Sequence, residues 1–137
     1  MPGLVFRYVD KSAGAASDIV ANQAQLMFCF TGLVVVPQIE TNTWLPGVAA
    51  DHLTSAAGLL PDGGCQMPAT AWLRAGATAS DGTVEEPCNL TDKFPKAGVL
   101  VGSCSKGDTL IKAYWISVRT PGQGLFVGEP LARPWGT

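Results

Sequence analysis

The side chain with the clearest potential for chemistry is the single histidine of the chain. His52 stands between Asp51 and Leu53. A histidine can serve as the base of a Ser-His-Asp or Cys-His site, but such a site also needs an activated nucleophile. The chain has no G-x-S-x-G elbow, and none of its cysteines lies in a family-type motif. We therefore interpret His52 as a solvated or helix-end residue, and we expect no catalytic residues and no enzymatic activity.

A pair of neighbouring glutamates is the next candidate. Glu85 and Glu86, together with Asp81 or Asp92, would supply carboxylates for glycoside hydrolysis, which needs two carboxyl groups facing each other across a cleft. Adjacent side chains on an extended segment point to opposite sides, so the two glutamates cannot form that pair themselves. We interpret them as part of a solvated acidic loop.

The composition offers little support for a metal or cofactor site. One histidine and four scattered cysteines cannot build a His-rich site, and the chain has no C-x-x-C pair and no EF-hand loop. Neither a Walker A loop nor a G-x-G-x-x-G motif is present. We expect no cofactor and no bound metal.

The four cysteines divide into two groups. Cys29 lies between two phenylalanines and is typical of a buried thiol. The other three lie beside turn residues and are candidates for at least one disulfide: Cys65, Cys88 and Cys104. Two disulfides would have three alternative connectivities, among which the sequence does not choose.

The four tryptophans also divide by their surroundings. Trp72 and Trp115 lie in apolar segments and are assigned to the core, whereas Trp44 and Trp135 lie in segments that resemble loops. An exposed indole offers a large contact area at a low entropic cost. Trp44 and Trp135 are therefore candidates for an interface with another subunit or for a carbohydrate platform.

Frequent turn signals between short apolar segments favour a mainly β fold. The chain has 16 glycines and 10 prolines, which leave little room for long helices. We predict a small antiparallel β-sandwich or barrel with one or two short helices. Residues 4–9 and 26–36 would form early strands, residues 66–75 a further strand and residues 125–127 a short last strand. The two stretches that could be helical are residues 17–25 and 47–60.

The clearest local prediction is a β-hairpin around Ser105–Asp108. Residues 97–103 and 109–119 would be its strands, because Leu110, Tyr114, Ile116 and Val118 alternate with more polar residues. The predicted core contains these four and eight other residues: Phe6, Phe28, Phe30, Val34, Trp72, Leu73, Val99 and Leu100.

The last nine residues are predicted to form an extended arm. Residues 1–128 would form one β-rich domain and residues 129–137 the arm, because Pro130 and Pro134 remove backbone donors. Leu131 and Trp135 are its large apolar groups, and we expect a groove on a neighbouring subunit to receive them. The predicted interface residues are therefore Trp44, Leu131, Pro134 and Trp135.

Composition supports a structural role. Only 15% of the residues are charged, compared with about 25% in average soluble chains, and the net charge is −2. Nucleic-acid binding is not expected, and the most apolar run, residues 26–36, is shorter than the roughly 20 residues of a membrane span. A surface poor in charge is typical of proteins whose surface is partly covered by neighbours.

The sequence thus predicts a structural protein that assembles with itself or with other subunits. A virion protein, such as a capsid-decorating (cement) protein, or another coat subunit fits this description, and its location would be a virion or another extracellular assembly. The alternative is an extracellular binding module with disulfides and a possible carbohydrate ligand, using Trp44 or Trp135. A hydrolase that uses His52 is the third hypothesis.

Overall fold

A computed structural model describes residues 3–85 and 90–136 and gives the chain an α/β fold. A single sheet contains four strands in the order β1-β2-β3-β4, in which β1, β2 and β3 are parallel and β4 is antiparallel to β3. The strands are β1 (Leu26–Thr31), β2 (Trp44–His52), β3 (Ala79–Thr83) and β4 (Gly124–Gly128). The helices are α1 (Thr70–Arg74), α2 (Ala97–Cys104) and α3 (Leu110–Ser117).

The predicted antiparallel sandwich or barrel is therefore wrong. Parallel neighbours cannot be joined by a tight hairpin, so the chain must cross from one end of the sheet to the other between them. The crossover between β2 and β3 contains α1, while α2 and α3 lie in the long connection from β3 to β4. The turn signals in these connections are real, but they separate helices and loops as well as strands.

The predicted hairpin is also wrong, because both of its strands are helices. The turn at residues 105–109 joins α2 to α3. The buried positions of α3 are Leu110, Ala113, Tyr114 and Ser117, which have the i, i+3, i+4, i+7 spacing of one helical face. Ile116, predicted to be in the core, is 50% exposed. A substitution Ile116→Asp would therefore place its charge at the surface.

Both faces of the sheet are covered by apolar clusters. On one face, Val48 and Ala50 of β2 pack with Trp72 of α1. On the other face, Ala49 and Ala79 pack with residues of α2 and α3. Because successive residues of a strand point to opposite faces, β2 contributes to both clusters.

The predicted core was only partly right. Trp72, Leu100, Leu110 and Tyr114 are buried, and another four predicted core residues are partly buried: Phe28, Phe30, Leu73 and Val118. The prediction is wrong for four exposed residues: Phe6, Val34, Val99 and Ile116. Their exposure follows from the outward faces of the helices and from segments that do not enter the sheet.

Several other segments differ from the prediction. Residues 4–9 are outside the sheet, residues 17–25 contain no helix, and the predicted helix at residues 47–60 is replaced by β2 and turns. The predicted strand at residues 66–75 contains α1 instead. Of the predicted strand at residues 26–36, only Leu26–Thr31 forms a strand, β1, and the predicted last strand at residues 125–127 is confirmed within β4.

The described helices are short. The longest, α2 and α3, have 8 residues each, whereas a transmembrane helix needs about 20. None of the described helices is long and apolar enough to cross a bilayer, in agreement with the expectation of no membrane span.

The C-terminal arm lies on the body of its own chain, at the start of α3. The backbone N–H groups of Leu110 and Ile111 donate to the carbonyl oxygens of Ala132 (2.9 Å) and Pro130 (3.1 Å). The Trp135 ring stacks on Phe28 at a centroid distance of 5.5 Å. The arm thus satisfies donors that the first turn of a helix leaves without partners.

Deleting residues 129–137 is expected to lower the free energy of unfolding by about 2 kcal/mol or more, because two helix-end donors and one aromatic contact are lost. Thermal unfolding followed by circular dichroism at two protein concentrations measures this effect. We expect the same decrease at both concentrations. An unchanged midpoint would show that the arm does not stabilise the domain.

Candidate functional site

Two aspartates of neighbouring strands lie at the same level of the sheet. Ala49 of β2 is paired with Ala79 of β3, and both strands run in the same direction. Counting two residues onward from this pair brings Asp51 level with Asp81, on the face covered by α3. Ligand sites of open α/β sheets lie near the carboxyl ends of the strands, and Asp51 is close to that end of β2.

Asp51 is fully buried and accepts three hydrogen bonds. Its Oδ1 accepts from the Ser80 hydroxyl (3.0 Å) and from the backbone N–H of Asp81 (2.6 Å), and its Oδ2 accepts from the Tyr114 hydroxyl (2.9 Å). The three donors come from β3 and α3. Asp51 therefore links the sheet to the helix that covers it, and each of the three buried donors has an acceptor.

Asp81 has a different environment. The residue is only 8% exposed, yet no residue of the described chain donates a hydrogen bond or forms an ion pair with its carboxyl oxygens. A Cβ atom on Gly124 would lie 3.1 Å from Asp81 Oδ1, so the glycine leaves space beside the carboxyl group. The carboxyl oxygens are not among the fully buried polar atoms without a partner, so water or a ligand in the adjoining cleft can supply the donor that the described chain does not.

The Asp81 carboxyl group forms part of a partly open cleft of about 140 Å³. The walls belong to α3, to β4 and to the segment between them. Besides Asp81 and Tyr114, the lining residues are Ile111, Trp115, Val118, Pro121, Gly124 and Phe126. The cleft is thus apolar and aromatic, with one carboxyl group among its lining side chains. We call it the acidic cleft after this group.

Burial and mutual repulsion set the protonation of the two aspartates. Burial raises the pKa of Asp51 to about 7, although its three hydrogen bonds oppose this effect. Burial and the nearby Asp51 carboxylate raise the pKa of Asp81 to about 8. Hydrogen bonds stabilise the ionised form of Asp51 alone, so we assign the first ionisation to Asp51 and the more strongly held proton to Asp81.

The stability of the protein is expected to fall by about 2–3 kcal/mol between pH 6.5 and pH 8.5. Both carboxyl groups are ionised in the unfolded chain throughout this range, whereas the folded chain loses their protons as the pH rises through about 7 and about 8. The folded chain is therefore less stable at pH 8.5 than at pH 6.5. Burial lowers the pKa of His52, so protonation of this ring destabilises the fold below about pH 6.5. The range for the two aspartates therefore begins at pH 6.5.

Urea unfolding at the two pH values measures this loss. The double variant Asp51→Asn, Asp81→Asn should show a much smaller decrease, whereas Glu40→Gln, at an exposed position, should keep the full decrease. A decrease of equal size in the double variant would exclude the two aspartates as its cause.

His52 is buried, contrary to the prediction that it is solvated or at a helix end. It is 1% exposed, its Nδ1 accepts a hydrogen bond from Trp72 Nε1 (2.9 Å), and its Nε2 bonds to the carbonyl oxygen of Met67. The ring is therefore a neutral tautomer with the proton on Nε2. Both ring nitrogens are used in holding α1 and the loop that precedes it to β2, which favours a structural role.

A buried lysine joins two loops elsewhere in the chain. Lys93 is 1% exposed, and its ammonium group donates to Ser55 Oγ (2.9 Å) and to the carbonyl oxygen of Glu85 (3.1 Å). The lysine thus ties residues 90–96 to the loop after β2. The predicted acidic loop is only partly described: Glu85 is exposed, and Glu86 lies outside the described residues.

The predicted interface residues occupy different environments. Trp44 is half-buried and packs edge-on against Trp72 at a centroid distance of 5.9 Å. Pro134 and Trp135 are half-buried on their own chain, whereas Leu131 is exposed. These four residues do not form one patch around the acidic cleft, and their contacts with other subunits stay a prediction.

The structure describes three of the four cysteines. Cys29, Cys65 and Cys104 are free thiols, and Cys88 lies outside the described residues. Burial raises the pKa of both Cys29 and Cys104 to about 11, which makes their thiolates scarce near neutral pH. The predicted disulfide is thus not formed among the cysteines that the structure describes.

Sequence reasoning missed the acidic cleft. Asp51 was considered only as a neighbour of His52, and Asp81 only as one carboxylate of a glycosidase pair. Tyr114 was assigned to the core, which is correct, but its hydroxyl partner was not predicted. The useful signal would have been a short polar stretch directly after an apolar, Ala-rich strand, once a parallel sheet is assumed.

Comparison with known proteins supplies no relative. No protein-family model, no curated protein and no solved structure matches this chain.

Proposed function

We propose that this protein is a subunit of a larger assembly and that it binds a second copy of itself by adding its N-terminal segment, residues 4–9, to the sheet of the partner copy. The observation that carries the proposal is an apolar edge strand beside which no described strand lies. β1 is an edge of the four-stranded sheet, and its sequence is LMFCFT. An apolar edge strand is a template for pairing with another chain.

The N-terminal segment has the properties of a strand that could pair with this edge. Its three large exposed side chains are the most exposed apolar groups described: Val5 (87%), Phe6 (77%) and Tyr8 (87%). Within the described chain, the backbone groups of residues 4–9 form no hydrogen bonds with the rest of the backbone. The segment and β1 each have six residues, so one can pair with the other along its whole length.

Strand addition would satisfy both sets of backbone groups and bury the exposed apolar side chains. If each copy donates its segment to the other, the two contacts are equivalent and the dimer is closed. A coat or virion subunit, as expected from the composition, is one form of this function. The low share of charged residues supports it, because few charges must lose water when such surfaces meet.

Light scattering after size exclusion tests the proposal. The full chain should elute as a dimer whose share grows with concentration, and the double variant Phe6→Asp, Tyr8→Asp should be monomeric. Val35→Asp changes another exposed apolar residue (61% exposed) and should leave the dimer intact. A full chain that is monomeric at every concentration would refute the proposal.

A peptide experiment identifies the donor. A chain that starts at residue 11 should bind a peptide of residues 3–10, and it should not bind the same peptide with both aspartate substitutions. The described hydrogen bonds that this truncation removes are the one from Arg7 to Gln23 (3.0 Å) and those of Asp10 with the neighbouring residues 12 and 17, none of which involves the sheet, so the fold should stay intact. Equal binding of both peptides would contradict strand addition through these side chains.

A further inference from the structure

We propose that the cleft between β3, α3 and β4 is a binding site for a protonated amine on an apolar stem, with the Asp81 carboxylate as its counter-ion. This site is separate from the proposed assembly contact, because β1 and β4 are opposite edges of the sheet. The inference rests on the size of the cleft, the chemistry of its walls and a carboxyl group to which no described residue donates a hydrogen bond.

The size of the cleft limits the ligand to a small group. Its volume of about 140 Å³ is close to that of an engineered apolar cavity of about 150 Å³ that holds a benzene molecule. One aromatic ring or a short alkyl chain therefore fits. A larger ligand would have to extend past Trp115, which is 66% exposed at the rim.

The walls favour an apolar stem with a cationic end. Tyr114 and Phe126 meet edge to face at a centroid distance of 5.3 Å, and with the exposed Trp115 ring they make the cleft aromatic. Aromatic faces attract cations. The Tyr114 hydroxyl already donates to Asp51, so Asp81 supplies the acceptor that a ligand donor would meet.

The charges around Asp81 exclude an anionic ligand. Asp51 from β2 lies next to it, Tyr114 faces it from α3, and Cys104 of α2 lies in the same buried cluster. Gly124 and Phe126 contribute no titratable group from β4. All the charges that these groups can carry are negative, so a cation would relieve their repulsion and an anion would increase it.

Binding involves a proton exchange. In the empty cleft, burial and Asp51 favour the protonated form of the Asp81 carboxyl group. An ammonium ion that binds the carboxylate displaces this proton to water: the carboxylic acid and the ammonium ion become an ion pair and one released proton. As the pH rises toward the pKa of Asp81, the apparent affinity for the amine should therefore increase by up to about tenfold per pH unit. Above that pKa the affinity should level off.

Benzylamine is a suitable probe, and benzyl alcohol is its neutral counterpart of nearly equal shape. In a titration of the full chain followed by tryptophan fluorescence and calorimetry at pH 8.5, benzylamine should bind at least tenfold more tightly than benzyl alcohol. At pH 6.5, which is below the pKa of Asp81, this preference should shrink on the order of twentyfold. Calorimetry in buffers of different ionisation enthalpy should detect the released proton at the lower pH.

Variants separate the carboxyl group from the rest of the cleft. Asp81→Asn should remove the preference for the amine, and it keeps the backbone N–H that donates to Asp51. Trp115→Ala changes an exposed side chain, so it should fold, and it should weaken both probes about equally. Leu131→Ala, an exposed position on the C-terminal arm, should change neither.

Three results would overturn the proposal. These are equal binding of benzylamine and benzyl alcohol at pH 8.5, an amine preference that survives Asp81→Asn, and no detectable binding of either probe to the full chain. If Asp81→Asn does not fold, the comparison of the two probes with Trp115→Ala and the full chain still decides the question.

Discussion

Replacing Asp51 with leucine is expected to lower the free energy of unfolding by about 4 kcal/mol or more. The leucine removes the acceptor of three buried donors: the Ser80 hydroxyl, the Asp81 backbone N–H and the Tyr114 hydroxyl. Each orphaned donor costs roughly 1–3 kcal/mol, because it has lost water without gaining a partner. Urea unfolding followed by circular dichroism at pH 6.5 measures the loss.

The matched control is Asp51→Asn, which keeps the shape of the side chain. Its amide oxygen can accept from Ser80 and from the Asp81 backbone, and its NH₂ group can donate to the Tyr114 oxygen. We expect this variant to lose less than half as much stability as the leucine variant. Equal losses would contradict the assignment of the lost stability to the three orphaned donors.

Trp72→Ala is expected to cost about 3–5 kcal/mol, which is the usual range for removal of a buried tryptophan or phenylalanine. The indole is fully buried between α1 and the sheet. Its loss also removes the hydrogen-bond donor to His52 Nδ1. The same unfolding measurement tests this prediction.

Trp115→Ala provides the control, because the substitution is identical and the side chain is 66% exposed. We expect this variant to lose less than about 1 kcal/mol, as most surface substitutions do. A similar cost for both tryptophans would contradict the assignment of α1 and α3 as helices with one buried and one exposed face.

The secondary structure of α3 could not be predicted reliably from its apolar pattern. Leu110 and Tyr114 are four residues apart, a spacing that fits both an alternating strand and one face of a helix. The deciding positions are Ala113 and Ser117, which are small and buried. Their size gave no strong hydrophobic signal, while the larger Ile116 falls on the exposed side and suggested a strand.

The acidic cleft depends on contacts between residues far apart in sequence. Asp51 and Tyr114 are separated by 63 positions, and their contact follows from the parallel register and from the packing of α3 on the sheet. An antiparallel sandwich would not have brought them together. By contrast, β1 and β4 were located correctly, because each is a short apolar run bounded by polar or turn residues.

The proposed assembly contact and the proposed amine site use different residues. Assembly needs the edge of β1 and residues 4–9, whereas the amine site needs Asp81, α3 and β4. Asp81→Asn should therefore leave the dimer intact. The double variant Phe6→Asp, Tyr8→Asp should likewise keep the preference for benzylamine.

Hydrogen exchange at the backbone amides of residues 4–9 tests the assembly contact most directly. In dilute monomer these amides should exchange rapidly, because the segment makes no backbone hydrogen bonds with its own described chain. At concentrations where the dimer forms, alternate amides of the segment and of β1 should become protected together, as expected when one strand edge pairs with another. Amides of residues 4–9 that still exchange rapidly in the dimer would contradict strand addition.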